Sequence, residues 1–246
     1  MNPRIATALI TGGSRGLGLA LATALARRGT QVVVVARDPD ALSAAVASIE
    51  RAAGESGGRA HGIAADISDK YAIHRIAGEA CALLGTIDLL VHNASTLGAL
   101  PMPLLVDTEC EDLEQVFAVN VVGPFRLTKA LVGAMALRGA GTVLHISSDA
   151  AVASYPNWGA YGASKAALDH MSATWAAELP GVRFLSVDPG EMNTEMHADA
   201  LPDADPATLA DPAEVAERIL RMLIAHDGPV SGSRLQAAAW SPQVAA

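Results

Sequence analysis

The sequence predicts an α/β fold: a doubly wound parallel sheet of about seven strands with helices on both faces. Three observations predict it. Short runs rich in β-branched residues alternate with longer stretches of helical periodicity. A glycine-rich turn joins the first such run to the first helix. The 246 residues are 51% hydrophobic and only 17% charged, which supplies one large buried core and is too little charge for a disordered chain. One domain spanning residues 1–246 is the simplest organisation for this length, and no repeat or linker divides it.

Residues 5–10 and 31–36 are short and β-branched, as strands buried on both faces are. Between them, 16–28 carries Leu17, Leu21, Ala24 and Leu25 at helical spacing. A second helix over 39–53 ends in the glycine-rich turn 54–58. The alternation continues with strand 60–65, helix 69–84 and strand 87–92, then two helices over 107–119 and 121–137. Strand 141–147, a long alanine-rich helix over 159–179 and strand 182–187 come next. Residues 191–210 hold several prolines and acids and are expected to be irregular. Helix 212–225 and a last strand near 230–236 complete the pattern.

Composition excludes some functions. A net charge of −9 argues against nucleic acid or an anionic membrane as the main partner. No uninterrupted run of about 18 apolar residues predicts a membrane span, and Met1–Arg4 show no signal-peptide pattern before the first strand. Cys81 and Cys110 stand alone, as reduced thiols do in a cytoplasmic protein. The histidines lack ligand spacing, so no metal is expected.

The first strand ends in Thr11-Gly12-Gly13-Ser14-Arg15-Gly16-Leu17-Gly18, and a helix follows at once. Glycines there permit a tight turn and a close backbone approach, and the helix N-terminus offers N–H groups to a pyrophosphate. Further along, Tyr161 and Lys165 lie four residues apart and so on one helical face. A free tyrosine, with a pKa of about 10, is a poor acid–base catalyst near neutrality. A nearby ammonium is expected to favour the phenolate and lower that pKa.

The spacing Thr-Gly-x-x-x-Gly-x-Gly, with Gly12, Gly16 and Gly18 in the key places, resembles the cofactor loop of the short-chain dehydrogenase/reductase family. The resemblance runs from Thr11 to about Thr194, with each motif on the expected element. It implies that Thr11, Gly12, Ser14, Arg15, Gly16, Leu17 and Gly18 hold a dinucleotide, with Asp66 and Ile67 against the adenine. Asn93 and Ala94 resemble the wall beside the adenosine. Pro189, Gly190, Met192 and Thr194 resemble the element that contacts the nicotinamide carboxamide. Ala36 falls where an NAD-selecting acid would sit, and Arg37 follows it, with Arg15 as a second cation. Two cations where a 2′-phosphate would lie select NADP(H), over the alternative in which both arginines are solvated surface residues and Asp38 serves as an offset acid.

Ser148 precedes Tyr161 by the separation found in that family and is implied to hold the substrate oxygen. Ser147 should face the opposite side of the strand. Asn120 matches an asparagine that orders a proton-relay water to the lysine, and Lys165 and Tyr161 would also contact the nicotinamide ribose. The implied activity is an oxidoreductase that exchanges a hydride between nicotinamide and a carbonyl or alcohol, acting as a carbonyl reductase. Two rival readings are a non-catalytic NADP-binding regulator and a nucleotide-sugar epimerase or dehydratase. Residues 191–210 are a candidate substrate lid, with Met192, Met196 and His197 facing the pocket, or a surface loop packed on the last helix. His92 reads as a packed strand-end residue, and Asp149 as a backbone-bonding residue or a contact for a cationic or hydroxylated substrate. The family pairs through helices matching 121–137 and 159–179, which implies a homodimer or homotetramer. The closing double glycine of many members is missing near Ser231–Arg234, which leaves the last strand open.

Overall fold

Seven parallel strands form one sheet in the order β3-β2-β1-β4-β5-β6-β7. The computed structural model describes residues 5–225 and 228–241; the opening residues Met1–Arg4 lie outside it. The strands are β1 (Thr7–Thr11), β2 (Gln31–Ala36), β3 (Arg59–Ala64), β4 (Leu89–His92), β5 (Thr142–Ile146), β6 (Arg183–Asp188) and β7 (Arg234–Gln236). The helices are α1 (Gly16–Ala26), α2 (Pro39–Ala53), α3 (Ala72–Leu84), α4 (Cys110–Phe117), α5 (Gly123–Arg138), α6 (Gly159–Glu178), α7 (Glu195–Ala200) and α8 (Pro212–Ile224).

Alternate strand residues enter two separate cores, because successive side chains leave a strand on opposite faces. Ile10, Val32, Val34, Val91, Leu144 and Leu185 pack with Leu21, Ile49 and Ile219 from α1, α2 and α8. Leu9, Val33, Leu90, Val143 and Phe184 pack with Ile76, Leu127 and Leu131, joined by Trp175 of α6. Burial on both faces is why these strands read as continuous apolar runs and not as alternating ones. The strand order reverses between β1 and β4. Open α/β sheets bind ligands in the crevice at the carboxyl ends of the strands at such a point.

Four differences from the expected elements have physical causes. The helices expected over 107–119 and 121–137 form one continuous run, joined by a π-helical turn over Ala118–Val122. Pro124 has no N–H to give the Asn120 carbonyl, and the wider turn absorbs that break. The run Cys110–Arg138 is, by length and composition, long and apolar enough to cross a membrane. However, 56% of its most apolar 18-residue stretch is buried within the fold, where it serves as a core helix. The segment 191–210 is not irregular throughout. It contains α7, whose first turn is capped by Thr194 Oγ1 accepting from His197 N–H, and its ends are joined by a bridge between Met192 and Ala210. Finally, β7 is shorter than expected, because Gly232 takes a positive φ of 87° in the turn just before it.

Candidate active site

The carboxyl ends of the strands open into a cleft of about 1210 Å³. At one end lies the turn between β1 and α1. Asn93 Nδ2 donates to the carbonyls of Thr11 and Gly12 at 3.1 and 3.0 Å, and Thr11 Oγ1 accepts from the N–H groups of Asn93 and Ala94. Asn93 therefore braces the loop as well as lining the cleft. A Cβ on Gly18 would sit 2.2 Å from the Gly12 carbonyl oxygen, whereas one on Gly16 would meet only Thr194 Cγ2 at 3.5 Å. Gly18 thus packs the loop onto the helix, and Gly16 leaves open room above it. No side chain caps the N-terminus of α1. A dinucleotide pyrophosphate fits this cradle on both counts: space and available N–H groups.

Thr11, Gly12, Ser14, Arg15, Gly16, Leu17, Arg37, Asp66, Ile67, Asn93 and Ala94 all line the cleft, as do Pro189, Gly190, Met192 and Thr194. Gly18 lies beneath this lining. Asp38 caps α2 through Oδ1, accepting from the N–H groups of Asp40 and Ala41, and it also lines the cleft. Asp66 accepts from both the N–H and hydroxyl of Ser68. Arg37 is exposed. Arg15 pairs with Glu195 of α7, both side chains well exposed, so the loop and the 191–210 segment already touch.

At the other end, Ser148, Tyr161 and Lys165 line the same cleft. Strand parity separates the two serines. Ser147 turns under α6 and donates to Asp169 Oδ2 at 2.6 Å, while Ser148 sits beyond the strand end and donates to Asp149 Oδ1 at 2.9 Å. Lys165, only 2% exposed, donates to the Ile146 carbonyl at 2.9 Å, with Nζ 5.4 Å from the Tyr161 ring centre. Burial lowers the Lys165 pKa to about 8, with Asp169 pulling it back up.

Tyr161 departs from the sequence expectation. Burial pushes its pKa up to about 12; hydrogen bonds from Ser148 and Ser95 pull down, and the carboxylates of Asp149 and Asp188 push up further.

Asn120 is buried at the π-helical turn. Its Nδ2 donates to Thr96 O and Ser164 Oγ, and its Oδ1 accepts from Ser95 Oγ and Thr96 N–H. It sits behind the cleft wall and does not bond Lys165. His92 is packed as expected, with Nε2 2.7 Å from Thr128 Oγ1 and its ring stacked on His145. Desolvation holds both rings neutral near pH 7. Asp149 takes the backbone-bonding role, accepting from Ala150 N–H, and also accepts from the Tyr155 hydroxyl at 2.9 Å.

Leu97, Met102, Trp158, Met196 and Ala200 pack with Tyr161 as an apolar wall, and Trp158 meets the Tyr161 ring edge-on. Met196 and His197 both line the cleft. Sequence reasoning missed Trp158, Tyr155, Ser95, Asp169 and Arg234. Asp169, one turn beyond Lys165 on the same helix, was the available signal for the last two.

The sequence profile of the short chain dehydrogenase family matches residues 6–205. An uncharacterized oxidoreductase of Mycobacterium tuberculosis is 36% identical over 221 residues, covering 85% of this chain and 81% of that protein. A short chain dehydrogenase structure from Shigella flexneri, complexed with NADP, superposes with a TM-score of 0.86 at 26% identity, covering 96% of this chain and 100% of that one. The structure of an NAD+-bound xylitol dehydrogenase superposes with a TM-score of 0.81 at 26% identity, covering 94% and 96%. A glycine loop at one end of the cleft, a serine, tyrosine and lysine at the other, and a profile match over most of the sequence have one account: the chain belongs to the short chain dehydrogenase family of oxidoreductases.

Proposed function

We propose that this protein is an NADP(H)-dependent carbonyl reductase. The observation that carries the reading is that Ser148, Tyr161 and Lys165 share one cleft with the glycine loop, Arg15 and Arg37. When bound, the nicotinamide supplies the hydride that reduces the substrate carbon.

The chain's own residues supply orientation and a proton. The Ser148 hydroxyl hydrogen-bonds the substrate oxygen, and the Tyr161 phenol gives that oxygen its proton. Burial favours the protonated phenol, the form that donates a proton in reduction. Lys165 would hold the ribose of a bound nucleotide and return a proton toward Tyr161, with Asn120 ordering the relay behind it. The apolar wall of Leu97, Trp158 and Met196 suits a carbonyl compound with an apolar body. Residues 191–210 serve as the lid over it, through Met196, His197 and Leu201.

The choice of NADP(H) is supported by Arg15 and Arg37 at the cleft and by Asp38 being engaged as a helix cap. The Arg15–Glu195 pair does not oppose it. Exposed ion pairs are worth about 0–1 kcal/mol, so a phosphate can take over the guanidinium. Pairing of two copies through α5 and α6 is supported by exposed Ala163, Ala166 and Ala173 on α6 and by partly exposed Phe125 on α5.

A screen of aldehydes, ketones, quinones and imines, following NADPH and NADH oxidation side by side, tests this reading. The expected result is reduction of at least one carbonyl class, at least tenfold faster in kcat/KM with NADPH. A preference for NADH would overturn the cofactor assignment. Cofactor binding without oxidation would favour the regulator, and turnover without net release of oxidised cofactor would favour the epimerase.

A further inference from the structure

Arg234 stands on the last strand, far from the motifs, yet its side chain joins four elements. Parallel pairing sets it opposite Ser186 of β6, which is opposite His145 of β5, which is opposite His92 of β4. Register partners point to the same face, so this polar row lies under α6. From there Nε of Arg234 donates to Asp169 Oδ2 of α6 at 2.9 Å. Its Nη2 donates to the Ser148 carbonyl at 2.7 Å and reaches Asp188 Oδ2, at the end of β6, at 3.5 Å.

Both carboxylates are largely removed from water. The side chains of Asp169 and Asp188 are 13% and 5% exposed, against 25% for Arg234. A buried carboxylate without a counter-charge is strongly unfavourable, so Arg234 is the cation that permits the pair. Each acid also faces one member of the tyrosine–lysine pair. Asp169 lies one helical turn from Lys165 and favours its ammonium, while Asp188 favours the neutral phenol of Tyr161. Asp169 Oδ1 is buried with no hydrogen-bond partner among the described residues.

We propose that Arg234 is a positioning residue for the tyrosine–lysine pair, acting through Asp169. It holds the Asp169 carboxylate and offsets its charge, so that the Lys165 ammonium stays on the Ile146 carbonyl and is not drawn to the acid. The same guanidinium pins the Ser148 backbone to α6 and β6. The proposal rests on the roles given above to Tyr161 and Lys165.

The groups around Lys165 are Tyr161 and Asp169 on its own helix and His145 on β5, with His92 stacked behind it. Asp149 and Asp188 act on Tyr161 from the ends of β5 and β6, and Arg234 from β7 acts through Asp169 and Asp188. The two histidines stay neutral across the range concerned. Changing Asp169 in the Arg234 variant therefore separates the route through Asp169 from the one through Asp188.

The sequence has three lysines, Lys70, Lys129 and Lys165, and the first two are exposed. Protein labelled with 13C at the lysine ε-carbon reports each titration separately by NMR, with no substrate present and with Lys70 and Lys129 as internal references. In the parent protein Lys165 should titrate well below the other two. Arg234→Met should raise its midpoint by about one pH unit, because the uncompensated carboxylate favours the ammonium. Asp169→Asn in the same chain should bring the midpoint back, and Arg234→Lys, which keeps the charge, should leave it near the parent value. An unchanged midpoint in Arg234→Met, or no reversal by Asp169→Asn, would overturn the proposal. If Arg234→Met does not fold, Asp169→Asn alone decides: it should lower the midpoint, and a rise or no change counts against the proposal. Loss of the reductase reading would show in the oxidation screen and leave this titration intact, so the two failures are distinguishable.

Discussion

The two ends of the cleft are built on opposite principles. At the glycine loop, backbone meets backbone: a Cβ on Gly12 would lie 2.8 Å from Ala94 Cα, and one on Gly18 even closer to the Gly12 carbonyl. The charges there, Arg15 and Arg37, remain exposed. At the acid–base end, Tyr161, Lys165, His145 and Asp188 are all buried, and the first three have displaced pKa values. A nucleotide site needs shape and open N–H groups, and its cations work well while solvated. An acid–base site needs altered proton affinities, which only desolvation and fixed neighbours supply. One end is therefore specified by where side chains are missing, the other by where charges are hidden.

The largest effect that would break this comparison is at Tyr161. Tyr161→Phe keeps the ring and its apolar contacts but loses the proton, so kcat should fall by about 10³-fold. NADPH affinity, followed by quenching of tryptophan fluorescence, should change by less than about twofold. Retained turnover would remove the tyrosine from the mechanism.

Two alanine substitutions sharpen the contrast within the loop. Gly18→Ala forces a methyl into the Gly12 carbonyl, and even after the gain in helix propensity it should cost about 2 kcal/mol. A drop in Tm of roughly 6 °C would register this. Gly16→Ala meets no close atom and carries only the strain of its positive φ of 53°, about 1 kcal/mol. Its main effect should be on NADPH binding, weakened by about tenfold as the methyl enters the cleft. Equal losses of stability from the two would mean that the loop is not shaped as described.

The smallest effect concerns the cost of hiding Lys165. Its pKa is lowered from 10.5 to about 8 by burial, so between those values the unfolded chain binds more protons than the folded one. Stability from this group therefore rises with pH from about 8 to 10.5 and is lowest below 8. Lys165→Met should abolish turnover yet raise stability at pH 7 by on the order of 1 kcal/mol, after the loss of its bond to the Ile146 carbonyl. The gain should shrink across that interval in denaturant titrations. A gain that is flat with pH would mean that the ammonium is not the source.

Much of this was legible in the sequence because it is local. Glycine spacing, strand parity and helical periodicity act over a few residues, so the β1–α1 turn, the separation of Ser148 from Ser147 and the shared face of Tyr161 and Lys165 could be read directly. The bounds of α2 match the expected 39–53 for the same reason: Asp38 caps its start and Gly54 ends it. The π-helical turn at Asn120 was not read, since Pro124 alone does not say how the helix absorbs the missing bond. Helix α7 was hidden by the acids and prolines around it.

What the sequence determined by itself was the order of the elements, the shape of the β1–α1 turn and the side chains that meet at the other end of the cleft. Each follows from backbone geometry or from spacing along one element. Only the tertiary structure decided the electrostatics. It raised Tyr161 where a neighbouring lysine was expected to lower it, because burial dominates at the phenol. It also brought Arg234 to Asp169 and Ser148 across three strands. Desolvation and long-range charge depend on what the whole chain packs around a group, and no local pattern encodes that.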